Sequence, residues 1–221
     1  MDRRDARAAK RWWRVKYGVE WAIALLGTAV VLPLLAALAL LVKLTSHGPV
    51  FYVSERLGKD GEVFRLMKFR SMKTDAEQVL AEDGKVITLE GDPRLTPVGR
   101  LLRLGFDELP QLLNVLKGDM CLIGPRPDVT WELERYTPRQ RTRLEALPGM
   151  SGLTQVLGGR EMNNAQNYEL DVRYVTRSTA WLDVKVLLLT LPYALGARKL
   201  GRKLLPEFME GLDALADDRC R

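Results

Sequence analysis

The chain has 221 residues, with 34 Lys and Arg against 28 Asp and Glu, for a net charge of +6 and a pI near 9.4. That length suits one domain with its own core, and the modest basic balance suits an anionic partner: phosphate, nucleic acid or a membrane surface. Two distant cysteines, Cys121 and Cys220, argue against a disulfide framework and a zinc site, and the one histidine, His47 in TSHGP, forms no recognisable triad.

The first 20 residues are basic, with Arg3, Arg4, Arg7, Lys10, Arg11, Arg14 and Lys16 against Asp2, Asp5 and Glu20. Residues 21–42, WAIALLGTAVVLPLLAALALLV, then carry no charge. Roughly 20 apolar residues make a helix long enough for the hydrocarbon core of a bilayer. The stretch lacks the cleavage pattern of a removed signal peptide. Pro33 interrupts its middle, where a proline removes a helix hydrogen bond. Basic residues flank both sides, with Lys43, Arg56 and Lys59 after it. A kinked spanning helix fits these facts. A bent, re-entrant helix that leaves by the face it entered fits the two basic flanks better, since a crossing favours one positive side.

Residues 50–69 alternate apolar and polar positions around GKDG, which predicts a β-hairpin. A polar helix is expected over 75–83, DAEQVLAED. After Pro93 and Pro97 come two helical stretches, VGRLLRLG and ELPQLLNVLKG, with Asp107 as a natural N-cap and Gly118 as the C-cap. Residues 128–147 mix Trp131 and Tyr136 with four arginines, and Pro138 separates two helices; both a membrane interface and packing on a core suit that pattern. Residues 178–195, interrupted by Asp183 and Lys185, read as an interfacial or core helix. The tail after 196 is expected to be peripheral.

Polar chemistry gathers in KFRSM (68–72), DPRLTPVGRLLR (92–103), GDMCLIGPRP (118–127) and PGMSGLTQVLGGR (148–160). Each couples a cation to glycines or prolines that fix the backbone. Lys68, Arg70, Arg94, Arg126 with Pro127, Gln155 and Arg160 are the candidate substrate- and phosphate-binding residues, because arginine donates two parallel hydrogen bonds to a phosphate. No P-loop and no GxGxxG is present. Asp107 and Glu108 add adjacent carboxylates. Magnesium takes one or two carboxylates plus phosphate oxygens, and an aspartate can also attack phosphorus. By spacing alone, a plain helix cap with Glu108 facing water explains the pair as well.

The ordered strings PVFYVSERLGKDGEVFRLMKFRSM, DPRLTPVGRLLRLGFDELPQLLNVLKGDMCLIGPRP, PGMSGLTQV and ELDVRYVTRSTAWLDVKVLLLT resemble the bacterial sugar transferase family, the small monotopic phosphoglycosyl transferases. The resemblance covers most of the chain, to about residue 195. It implies transfer of a phospho-sugar from a UDP-sugar to a polyprenol phosphate, undecaprenyl phosphate being the expected lipid. The products are polyprenol-diphosphate-sugar and UMP, with Mg2+ as cofactor, in an early step of glycoconjugate synthesis. It implies Asp107 as nucleophile, forming an aspartyl-phosphosugar intermediate, and Glu108 as magnesium or positioning partner. Lys68, Arg70 and Arg126 would bind the anion, and Pro33 would break the membrane helix. The expected location is the bacterial cytoplasmic membrane, monotopic, with the site on the cytoplasmic face.

The sequence departs from the family pattern at Phe106, where a small polar residue is usual, and at Cys121 after GDM, where serine is usual. The segment LGGREMNNAQNYELD also has its own spacing. These leave the sugar open.

The combined expectation is an α+β, mainly helical chain with a re-entrant membrane segment, a small hairpin and interfacial amphipathic helices. It divides into a basic N-terminus and membrane helix (1–45), a catalytic domain (46–196) and a peripheral tail (197–221), in a minimal form of the family. The expected partners are the two substrates and membrane lipids, without nucleic acid, and a homo-oligomer stays open. A tethered scaffold or nucleic-acid module and a polyprenol-phosphate hydrolase are the rival classes. Neither would consume a UDP-sugar.

Overall fold

The computed structural model describes residues 3–74, 92–194 and 200–215, without the side chains of residues 3–10, Arg160, Ala194 and Asp213. The polar helix expected at 75–83 lies outside the described residues.

Helix α1 runs from Arg3 to Thr45, 43 residues with Pro33 inside. Its Ala- and Leu-rich sequence favours helix at nearly every position. Among the described residues it is the one helix long and apolar enough to cross a membrane. Ala24, Leu35, Leu38 and Val42 are buried against the rest of the chain, whereas Leu26 (69%), Val30 (79%) and Leu40 (59%) are exposed.

Both ends of α1 dock on the same body. Near its start, Trp12 donates to the Ser178 hydroxyl at 3.3 Å, the Tyr17 hydroxyl accepts from the Leu147 amide at 2.9 Å, and Lys16 pairs with Glu20 and with Asp183. Near its end, Leu35, Leu38 and Val42 pack on Phe69, Val98 and Leu102.

Strands β1 (Phe51–Leu57) and β2 (Val63–Phe69) form the expected antiparallel hairpin, in register from Phe51 opposite Phe69 to Leu57 opposite Val63. Since opposite residues share a face, Tyr52, Ser54 and Arg56 lie on the face that carries Phe64, Leu66 and Lys68. Helix α2 (Gly99–Leu102) leads through Gly105 (φ 113) into a 3-10 turn at Phe106–Glu108. Only glycine takes that positive φ at low cost. Helix α3 (Gln111–Lys117) follows, ended by Gly118 at φ 86.

The N-cap expectation is corrected here. The 3-10 turn places Pro110, not Asp107, at the cap of α3, and that N-cap makes no side-chain hydrogen bond. The Asp107 carboxylate is therefore not consumed by capping.

A second, parallel pairing joins β3 (Cys121–Ile123) to β4 (Gly149–Ser151). It depends on backbone contact without side chains: a Cβ on Gly149 would lie 2.1 Å from the Gly124 nitrogen. Between these strands, Tyr136, Arg143 and Leu144 are buried while Trp131 is exposed, so residues 128–147 mostly pack on the core. That stretch contains a 3-10 turn at Thr130–Glu134 and α4 (Pro138–Arg141), which begins at a Thr137–Gln140 capping box.

Helices α5 (Leu153–Val156), α6 (Asn164–Arg177) and α7 (Ala180–Ala194) build the largest core cluster around Leu157, Leu170, Tyr174 and Val186. The tail is not peripheral over its described part. After α8 (Leu200–Leu204), Leu205, Phe208 and Leu212 are buried in that same cluster. Each such side chain contributes about 1.5–3 kcal/mol on burial, and mixed charge in the surrounding sequence conceals it. One face of α7, with Leu182, Val186 and Leu189, completes the core, while Trp181, Leu188 and Leu191 stay about two-thirds exposed.

Candidate active site

The 3-10 turn that carries Asp107 and Glu108 is anchored from below. Phe106 and Leu109 pack against the Val98–Leu102 cluster beside the end of α1. Phe106, the departure from the family pattern, thus serves as the apolar foot of the carboxylate turn.

Above it, β2 supplies Lys68, whose Nζ lies 2.6 Å from Glu108 Oε1. The loop after β3 supplies Arg126, whose Nη2 lies 4.0 Å from the same oxygen. Asp107 is half-buried. Burial lifts its carboxyl above the ordinary aspartate range; Lys68 opposes the rise, Glu108 adds to it, and Arg103 opposes it. A half-buried carboxyl whose ionised form is less well held than in water, beside cations, is the kind of group that marks a candidate functional site.

Lys68, Asp107, Glu108 and Arg126 are thus brought together. Arg70 is not: its guanidinium is buried and donates to the carbonyls of Pro49 (2.6 Å) and Ser46 (3.1 Å) and to the Ser46 hydroxyl (2.8 Å). It fastens the end of α1 to the hairpin. Arg94 closes on Asp92 within its own loop, at 2.6 Å. Gln155 donates to the Met150 carbonyl at 3.0 Å, while its Oε1 is buried with no hydrogen-bond partner among the described residues. Pro127 is half-buried next to Arg126, and the Arg160 side chain lies outside the described set. Cys121 is buried, and burial pushes its thiol well up, so it packs β3 as a neutral group.

A second group was not legible in the sequence. Buried Arg143 donates to Asp171 at 2.5 Å, to Asp128 at 3.3 Å, to the Tyr136 hydroxyl, and to the carbonyl of Arg126 at 2.7 Å. Its guanidinium also lies 4.8 Å from the Tyr168 ring centre. Thr154 donates to Asp171 at 2.6 Å. This hub fixes the main chain from which Arg126 projects. One signal existed: Asp171 sits three residues from both Tyr168 and Tyr174, on the buried stripe of α6, and a charge there demands a partner. Nothing marked Arg143 as that partner.

Among the described residues no group of three or more His, Cys, Asp or Glu could hold a metal. A divalent cation at this turn would meet two adjacent carboxylates, Asp107 and Glu108. That donor set fits magnesium, which completes its shell with water and substrate phosphates, better than a cation that needs an all-protein cage.

The profile of the bacterial sugar transferase family matches residues 11–197. The chain belongs to that family. It is 44% identical over 155 residues to an undecaprenyl-phosphate galactose phosphotransferase of Salmonella typhimurium, covering 65% of this chain and 33% of the relative. It is 36% identical over 189 residues to the exopolysaccharide production protein ExoY of Sinorhizobium fredii, covering 80% and 84%. It is 41% identical over 176 residues to the UDP-glucose:undecaprenyl-phosphate glucose-1-phosphate transferase of Caulobacter vibrioides, covering 75% and 64%. The chain thus spans about a third of the Salmonella relative's length and most of ExoY's.

Proposed function

We propose that this sugar transferase moves a phospho-sugar from a UDP-sugar to a polyprenol phosphate at the cytoplasmic face of a bacterial membrane, releasing UMP. The observation that carries the reading is the half-buried Asp107 carboxylate, free of any capping role, beside Glu108, Lys68 and Arg126. The names of the Salmonella and Caulobacter relatives support the substrate class.

In this scheme an Asp107 oxygen attacks the β-phosphorus of the donor, and the bond to the UMP oxygen breaks. The carboxylate then carries the phosphosugar as an acyl-phosphate. The lipid phosphate oxygen attacks the same phosphorus, freeing Asp107 and forming the polyprenol diphosphate. Splitting the transfer this way gives ping-pong kinetics. Lys68 and Arg126 offset the negative charge that gathers on the diphosphate. Magnesium bound at Asp107 and Glu108 would supply further charge neutralisation there.

The membrane reading is a re-entrant α1, although the helix runs unbroken through Pro33 and the expected interruption there is replaced by a continuous helix. Contacts at both of its ends support it. Lys16 before the apolar stretch reaches Asp183, and Ser46 after it receives Arg70, so both flanks hold one folded body. A straight crossing would carry them to opposite sides of a core roughly 30 Å thick. The exposed apolar faces of α1 and α7 suit contact with lipid.

The test is incubation of purified protein with polyprenol phosphate, magnesium and a panel of UDP-sugars. UMP release is expected with one or a few donors and should stop on chelation. Release of inorganic phosphate from polyprenol phosphate without a donor would instead indicate the hydrolase.

A further inference from the structure

Arg56 has a place in this site that its sequence position does not disclose. The hairpin register puts it opposite Phe64, on the face where Lys68 stands opposite Tyr52. Four residues of strand, about 13 Å, separate Arg56 from Tyr52.

The end of β1 is tied to the Arg126 loop, because the Leu57 amide donates to the Asp128 carbonyl at 2.8 Å. The end of β1 that carries Arg56 is thereby held beside the Arg126 loop, on the hairpin face that also carries Lys68. The Arg56 guanidinium is half-buried, and its one hydrogen bond among the described residues is a long one, 3.4 Å, to Ser54 Oγ. Asp128, the acid whose charge acts on Arg56, is already committed. Its Oδ2 takes Tyr136 at 2.9 Å and Arg143 at 3.3 Å, and its Oδ1 takes the Val129 amide at 2.8 Å. Burial, and then the like charge of Arg126, pull the Arg56 pKa down, with Tyr52 and Asp128 opposing. The like charges of Arg56 and Arg126 leave a repulsion that an anion between them would relieve.

We infer that Arg56 is a further phosphate-binding residue of the site, donating to a substrate phosphate oxygen together with Arg126. The inference rests on the proposed reaction for the identity of that phosphate, either the diphosphate of the donor or the headgroup of the lipid acceptor. The bland alternative is a surface arginine whose stem covers the hairpin.

The experiment uses the full chain in nanodiscs without polyprenol phosphate, titrated calorimetrically with UDP and with inorganic pyrophosphate, followed by KM measurements for polyprenol phosphate. Arg56→Gln should weaken at least one of these three by roughly tenfold, the worth of one charge-assisted hydrogen bond. Arg56→Lys should recover most of the loss, with unchanged melting temperatures. Arg139→Gln, which removes an equal charge from the exposed pair with Glu169, should leave all three alone.

Weaker UDP and pyrophosphate binding assigns Arg56 to the donor. A raised KM for the lipid alone assigns it to the acceptor. Unchanged values in all three, or an equal loss in Arg139→Gln, overturns the inference. If the wild type releases no UMP from any UDP-sugar, the reaction reading fails separately, and the pyrophosphate comparison still judges Arg56.

Discussion

Lys68 governs two carboxylates at once: its Nζ lies 2.6 Å from Glu108 Oε1, and it is the strongest charge opposing the burial that lifts the Asp107 carboxyl. The hairpin thus sets the protonation of the turn below it. Asp107 must be ionised to attack phosphorus. The acid limb of kcat/KM should therefore fall above the ordinary aspartate value of about 3.9. Lys68→Met should move that limb to still higher pH, because the opposing charge is gone. A limb that stays in place in a rate–pH profile of the variant would remove Lys68 from this role.

The same shift has a consequence for stability. A carboxyl whose folded-state pKa is raised favours the fold at low pH, and that contribution is lost as pH rises through the folded pKa. At neutral pH the ionised Asp107 therefore works against folding. Asp107→Asn should melt at or above the wild-type temperature at pH 7, while UMP release drops roughly a thousandfold or more. Glu108→Gln should also remove most activity with the fold intact. Retained UMP release in Asp107→Asn would sink the nucleophile assignment.

The buried hub separates structure from chemistry in the opposite sense. Arg143→Ala strands the Asp171 carboxylate without its ion pair, and breaking such a pair typically costs about 3–5 kcal/mol. Asp171→Ala should cost a similar amount, and the double variant less than the sum. Urea unfolding followed by tryptophan fluorescence reads all three. In variants that remain folded, the loss should fall on substrate KM as well, since Arg143 holds the Arg126 carbonyl.

Topology is open to a direct measurement. In a Cys220→Ser background, cysteines placed singly at Asp5 and at exposed Asp60 should react with a membrane-impermeant maleimide from the same side of sealed vesicles. Cys121 is buried and should stay silent. Labelling from opposite sides would establish a spanning α1.

Local order was largely readable from the chain. The hairpin follows from alternation around GKDG, the end of α3 from Gly118, and the membrane-type helix from an uncharged run of the right length. The carboxylate pair and its cations Lys68 and Arg126 were also visible, because a few residue types suit phosphate chemistry and the motifs that hold them are short. Arg70 shows the limit of that reasoning. It sits two residues from Lys68, where strand alternation would give it the same face, yet β2 ends at Phe69 and Arg70 donates instead to the Pro49 and Ser46 carbonyls at the end of α1.

The periodic elements and the apolar N-terminal segment were legible without any structure, since these depend on near neighbours and on residue type. Tertiary structure alone decided that Asp107 is no cap, that Leu205, Phe208 and Leu212 complete the core, and that Arg143 and Arg56 belong near the site. Those outcomes depend on pairings as distant as Leu57 with Asp128 and Arg143 with Asp171, where burial and charge are settled by which surfaces meet and leave no periodic trace in the chain.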